Sequence, residues 1–118
     1  MSRSDAERLR DILAAIEAID RAEVVGQHYA DAPDVAEVAL AAIRHRVFTI
    51  GEAVKALSAE LIGRRPDVPW SDIARMRDLI GHHYYKLDAQ IVRATIGEPL
   101  ALLRTACETI AVELDDEA

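Results

Sequence analysis

Most of the chemistry this chain can offer lies in one stretch, Arg75-Met-Arg-Asp-Leu-Ile-Gly-His-His-Tyr-Tyr85, where two arginines, two adjacent histidines and two tyrosines surround a glycine. Arginine is a permanent cation whose planar fork fits phosphate oxygens, and histidine exchanges a proton near neutral pH. Together they suit phosphodiester chemistry. His82 could act as general base or acid toward a ribose 2′-hydroxyl while Arg77 stabilises charge on a phosphorane-like transition state. RNA fits such a site and DNA does not, because only RNA carries that internal nucleophile. On an ideal helix, residues five apart such as Arg77 and His82 point roughly 140° away from each other. Gly81 relieves the conflict, since glycine commonly ends a helix in a left-handed conformation and lets His82 swing beside Arg77. Tyr84 then falls just outside the same cavity.

Other chemistries find no support in the residues. There is no Cys/His cluster or His-x3-His for zinc, and the neighbouring His82 and His83 point in different directions on most backbones. Neither a Gly-rich phosphate loop nor a nucleophile elbow is present. The expectation is a site that uses no metal and no cofactor. A purely structural alternative stands beside it: Arg77 pairs with an aspartate such as Asp72 or Asp78, and His82 caps a helix C-terminus, where the dipole favours a cation.

With 118 residues the chain makes a single domain spanning 1–118. An apolar fraction of 51% with only 4% aromatics favours packed helices over strands. The net charge of −7 argues against indiscriminate nucleic-acid binding, yet residues 44 to 86 carry eight Lys/Arg against five Asp/Glu, a local +3 that leaves −10 for the rest. The basic portion coincides with the chemical stretch. A lone cysteine, Cys107, cannot form an internal disulfide and reads as a small core residue in a reducing compartment. With no signal-like leader and no membrane-length apolar run, a cytoplasmic location is expected.

The elements that must position the stretch read as amphipathic helices. Residues 4 to 20 form the first, with Ser4 and Glu7 as a capping box and Leu9, Ile12, Leu13, Ile16 and Ile19 as its apolar stripe. A short helix around Ala22 to Tyr29 is an option, and His28 and Tyr29 read as packing or surface residues. A long helix over 35–61 carries Val35, Val38, Ala42, Phe48, Ile50, Val54, Leu57 and Leu61 inward. Within it Gly51 and Ala53 are small enough to admit another helix. Glu52, between them, either orients an arginine through a charge-assisted pair or is an ordinary solvated charge. Arg44-His45-Arg46 reads as an exposed turn of helix rather than a basic rim. After a loop over 63–69, Trp70 plugs the end of the bundle and a helix over 70–80 points Ile73, Met76, Leu79 and Ile80 inward. Asp88 caps a fourth helix through Ile91, Val92 and Ile96, kinked at Gly97-Glu-Pro99 and ending in an acidic tail that frays.

Arg77-Asp-Leu-Ile-Gly-His82-His-Tyr84 resembles the Arg-x4-His-x-Tyr signature of the HEPN superfamily, in particular its DUF86 branch of HepT-type toxins. The likeness extends to Ile50-Gly-Glu-Ala-Val-Lys55, to Pro69-Trp70 with Ile73 and Met76-Arg77, and to Leu87-Asp88. It implies an all-α, HEPN-like up-down bundle of four main helices with room for one extra short helix. It further implies a metal-independent ribonuclease toxin of a type VII toxin–antitoxin pair, dimerising so that two motifs line one cleft. The implied partner is a minimal nucleotidyltransferase, MntA-like, that adenylylates the motif tyrosine, here Tyr84; added AMP would set bulk and negative charge beside Arg77 and His82. Neither DNA nor a membrane is an implied partner. Two positions depart from the family pattern. Asp78 stands where relatives often carry asparagine and could weaken phosphate affinity, and His83 in the variable slot offers a second proton carrier. The alternative of another class is a non-catalytic helical module or regulatory subunit that docks the nucleotidyltransferase, a nucleotide, or both.

Overall fold

Ser4 starts the first helix as its spacing predicts. The Ser4 hydroxyl accepts the Glu7 N–H at 3.2 Å and the Glu7 carboxylate takes the Ser4 N–H at 3.1 Å, a reciprocal cap on α1 (Asp5–His28). Those Ser4 hydrogen bonds, backbone first, hold the Glu7 carboxyl below its ordinary range. The computed structural model describes residues 3–81 and 97–117. The expectations for His82, His83 and Tyr84, and for the start of a helix at Asp88 with Ile91, Val92 and Ile96, lie outside the described residues, as do the side chains of Leu79 and Ile80.

Leu9, Ile12, Ala15, Ile16 and Ile19 of α1 are buried, with Leu13 packed at the edge. The helix does not stop near residue 20, and no separate short helix follows it. It continues to His28 because the only breaker before Pro33 is Gly26, whose cost in a helix is about 1 kcal/mol. Periodicity fades there for a different reason: this end overhangs the core, leaving Val24 and Val25 exposed.

After a short turn, Pro33 opens α2 (Pro33–Ala56) at a position where its missing N–H costs nothing. Two apolar phases compete along this helix. In the first half the expected Val38 and Ala42 lose, since Val38 is 69% exposed and Ala42 faces solvent, and Ala39, Ile43 and Val47 carry the core instead; further along, Ile50, Val54, Leu57 and Leu61 are buried as expected. The helix also ends earlier than expected. Leu57 turns extended, and Ser58 caps a short α3 (Ala59–Gly63) by accepting the Leu61 N–H at 3.2 Å. Asp5 secures the break by accepting the Ser58 N–H at 3.1 Å and the Ser58 hydroxyl at 2.6 Å. The extra short helix is therefore at 59–63, not 22–29.

Trp70 begins α4 (Trp70–Gly81); it is buried, and its indole N–H donates to the Arg65 carbonyl at 2.9 Å. It plugs the bundle end, with no face left for a base. The last described helix, α5 (Glu98–Glu117), starts where a kink was expected, at Gly97-Glu-Pro99. Its acidic end is helical to Glu117 rather than frayed, because Arg64 pairs with Glu117 at 3.0 Å and Arg65 with Glu113 at 2.6 Å.

These ties give the topology. Two 24-residue helices of equal length run antiparallel, so the start of α1 meets the end of α2 at Asp5–Ser58. α4 returns along α2, with Arg77 beside Gly51. α5 runs against α1, pairing Arg104 with Asp20 near one end and Glu113 with Arg65 at the other. The result is an all-α up-down bundle around one core cluster that includes Leu103, Cys107 and Ile110 of α5. Among the described residues no helix is long and apolar enough to cross a membrane.

Candidate functional site

Gly51 decides how Arg77 is presented. A methyl group at Gly51 would lie 2.8 Å from the Arg77 Cβ and 3.2 Å from its backbone nitrogen, so α4 crosses α2 closer than any larger residue allows. The Arg77 side chain must then run along the surface of α2. One helical turn of α2 supplies its surroundings, Phe48 and Glu52 at i and i+4. The Arg77 Nε donates to a Glu52 carboxylate oxygen. Nη1 donates to Asp78 Oδ1 at 3.1 Å, and the guanidinium carbon sits 5.8 Å from the centre of the Phe48 ring, within cation–π range.

Arg77 is thus fixed on three sides while about a third of its side chain remains open to solvent, 31% by area. The Glu52 hydrogen bond, aided by the charges of Glu52 and Asp78, raises its already high pKa. The guanidinium stays cationic at every working pH, so it can bind or stabilise an anion but cannot carry a proton. A proton carrier has to be another group.

Of the site residues expected from the sequence, the structure brings together Arg77, Glu52 and Asp78. Glu52 is half-exposed and engaged with Arg77, which answers whether it is merely a solvated charge. Asp78 does pair with Arg77, whereas Asp72 goes to Arg75 at 3.1 Å. His82, His83 and Tyr84 lie outside the described residues, immediately past the end of α4. His28 and Tyr29 are exposed and meet edge to face with ring centroids 4.7 Å apart. His45 and Arg46 are exposed on α2. Among the described residues no group of three or more His, Cys, Asp or Glu side chains could hold a metal ion.

Phe48 is the participant that pattern reading assigned to the core. Its signal was available: the chain's one phenylalanine stands four residues before Glu52 on the face that bears Gly51. Nothing in the sequence says that Arg77 lands over that face, since this depends on how α4 crosses α2.

Comparison with known proteins agrees with this architecture. "Probable ribonuclease HepT" of Thermococcus cleftensis is 29% identical over 112 residues, covering 93% of this chain and 98% of that protein. A "Putative RNase" of Methanocaldococcus jannaschii is 46% identical over 43 residues, 36% of each chain, and another of Caldanaerobacter subterraneus is 45% identical over 47 residues, 40% of this chain and 42% of that one. The chain thus spans well under half the length of these last two relatives and nearly all of the first. No solved structure matches it. The family described as ribonuclease HepT-like matches residues 7–110, almost the whole chain, and the protein belongs to that family.

Proposed function

We propose that the chain is a metal-independent endoribonuclease of the HEPN type, with Arg77 and His82 as its catalytic pair. The observation that carries this reading is the Arg77 guanidinium, held by Glu52 and Phe48 at a partly open surface position close to where α4 hands over to the His82 segment. In the proposed step His82 removes the proton of a ribose 2′-hydroxyl and the O2′–P bond forms. The P–O5′ bond breaks, and the leaving 5′-oxygen takes up a proton. The products are a 2′,3′-cyclic phosphate and a 5′-hydroxyl. Arg77 stabilises the extra negative charge on the phosphoryl oxygens, and His83 is the second candidate for the proton transfers. The fixed pose supplied by Glu52 means that little reorganisation is needed when charge develops.

The resemblance extends the proposal to regulation. Transfer of AMP from ATP to the Tyr84 hydroxyl by a nucleotidyltransferase partner, with release of pyrophosphate, would place a phosphodiester beside the cation that RNA needs and so silence a toxin. A homodimer sharing one cleft would let two basic regions face each other while the acidic exterior stays in water. One observation favours the second reading, a binding module: Asp78 also occupies Arg77, so the guanidinium is already satisfied by protein carboxylates.

Purified protein and its His82→Ala variant, incubated with total RNA in EDTA, separate the two readings. Cleavage by the wild type alone with 2′,3′-cyclic phosphate ends is the expected result. Absence of cleavage by either protein, with Tyr84 unmodified by intact mass, would establish the binding module instead.

A further inference from the structure

A groove of about 390 Å³ runs between the first half of α1 and the second half of α2. Its walls carry Arg3, Arg8 and Asp11 on one side and Arg46 and Glu52 on the other. Three of these charges are already engaged: Arg3 pairs with Asp11 at 2.8 Å and Glu52 with Arg77. Arg8 and Arg46 have no ion-pair partner among the described residues. In a chain of net charge −7, two arginines without an ion-pair partner therefore line a single groove, which favours an anion there. Ala14, Ala53 and Ala56 also line it, and their short side chains leave room.

Continuity with the Arg77 site comes through Glu52. The same carboxylate forms the rim of the groove and holds the Arg77 guanidinium, so the groove begins where the site ends. Its volume lies near the small end of ligand sites, roughly 300–1,000 Å³, and suits one or two nucleotides rather than a duplex. We infer that the groove between α1 and α2 holds the backbone of a single-stranded RNA beside the phosphate being cleaved, with Arg8 and Arg46 as its phosphate contacts. The identity of the strand rests on the ribonuclease reading above; the charge and shape of the groove do not.

The test uses the full chain and a fluorescent ten-nucleotide 2′-O-methyl RNA, which lacks the nucleophile and is bound without being cut. Affinity is measured by anisotropy over a series of salt concentrations for the wild type, for Arg8→Gln/Arg46→Gln, and for Arg10→Gln/Arg21→Gln. The last pair removes the same charge from exposed positions of α1 outside the groove. Each phosphate contact contributes about 0.7 to the slope of log affinity against log salt for single strands, so the groove variant loses about 1.4 and the control loses nothing. On unmodified RNA the groove variant raises KM about tenfold or more and leaves kcat in place, because it touches strand binding and not the reacting phosphate.

An unchanged slope, or equal losses in the control, overturns the inference, as does wild-type protein that fails to bind the oligonucleotide. Cleavage by the wild type with an unaltered KM in the groove variant overturns the groove and leaves the ribonuclease reading standing. RNA bound through Arg8 and Arg46 by a chain that never cleaves does the reverse. Thermal melts of both double variants show whether either substitution unfolds the bundle, and Arg8→Lys/Arg46→Lys, which keeps both charges, restores most of the slope if binding is electrostatic.

Discussion

Arg77 and Arg104 each bridge two helices through a carboxylate, yet they stand in opposite surroundings. Arg104 reaches from α5 to Asp20 of α1 across a contact already made by aliphatic side chains, with Leu103 and Cys107 beside it fully buried. Its pair is a half-exposed addition to an interface that burial holds together, and such surface pairs contribute about 0–1 kcal/mol. Arg77 lies where α4 passes closely over Gly51 of α2, and its guanidinium reaches Glu52 across that crossing. Both arginines have raised pKa values for the same first cause, a carboxylate hydrogen bond. The lesson is that an ion pair marks a site by what the fold does to bring it about. Arg77 has a second hydrogen-bonded carboxylate, a ring and a glycine arranged for it; Arg104 has one hydrogen-bonded partner, with Glu17 and Glu108 nearby only as charges.

Removing the two arginines in turn is the sharpest way to break this contrast. Arg77→Ala is expected to lower RNA cleavage by roughly 10²–10³-fold, the usual cost of deleting a group that stabilises transition-state charge. Arg104→Ala should leave the cleavage rate within twofold and cost about 0–1 kcal/mol in urea unfolding. Equal losses of activity in both variants would show that Arg77 matters only for stability.

Two glycines sharpen the contrast in packing, with opposite signs expected. Gly51→Ala places a methyl 2.8 Å from the Arg77 Cβ, so α4 has to move off α2, at about 1–3 kcal/mol and with loss of cleavage. Gly26→Ala meets only the Ala39 methyl at 3.5 Å, an ordinary contact, and helix propensity then stabilises the protein by about 0.5–1 kcal/mol. Melting temperatures of the two variants should move in opposite directions.

The last prediction concerns the cap of α1, which touches stability and not the Arg77 contacts. Ser4→Ala should cost about 0.5–2 kcal/mol. Since the folded Glu7 pKa is lowered, its contribution is fully present above the unfolded value of 4.5 and is lost as pH falls through the lower folded value. Acid titration of a Glu7→Gln variant should therefore show a shallower decline in stability below about pH 4.5 than the wild type, while both have similar slopes near neutrality.

Much of this was legible along the chain. The capping box at Ser4, the core positions Leu9, Ile12, Ile16 and Ile19, and Trp70 as plug all follow from local spacing, and the structure has them so. The pairing of Glu52 with Arg77 was legible only as one of two options, because Glu52 belongs to a helix whose neighbour the sequence does not name. The break at Leu57 was hidden by the unbroken apolar spacing of Val54, Leu57 and Leu61; its cause, Asp5 holding Ser58, lies 53 residues away. Val38 was misplaced because α2 carries two apolar phases and only the packing of α1 and α4 against it selects one.

The sequence by itself determined the class of fold and singled out Arg77, His82 and Tyr84 as the candidates for chemistry, since both rest on local pattern: helical periodicity, caps, and an Arg-x4-His-x-Tyr spacing. Tertiary structure decided what Arg77 touches and which arginines line the groove that adjoins its Glu52 partner. Those relations depend on how α4 and α1 cross α2, and the crossing is set by a methyl-sized gap at Gly51 and by the register that Asp5 imposes on Ser58. Neither distance is a property of any one segment of chain.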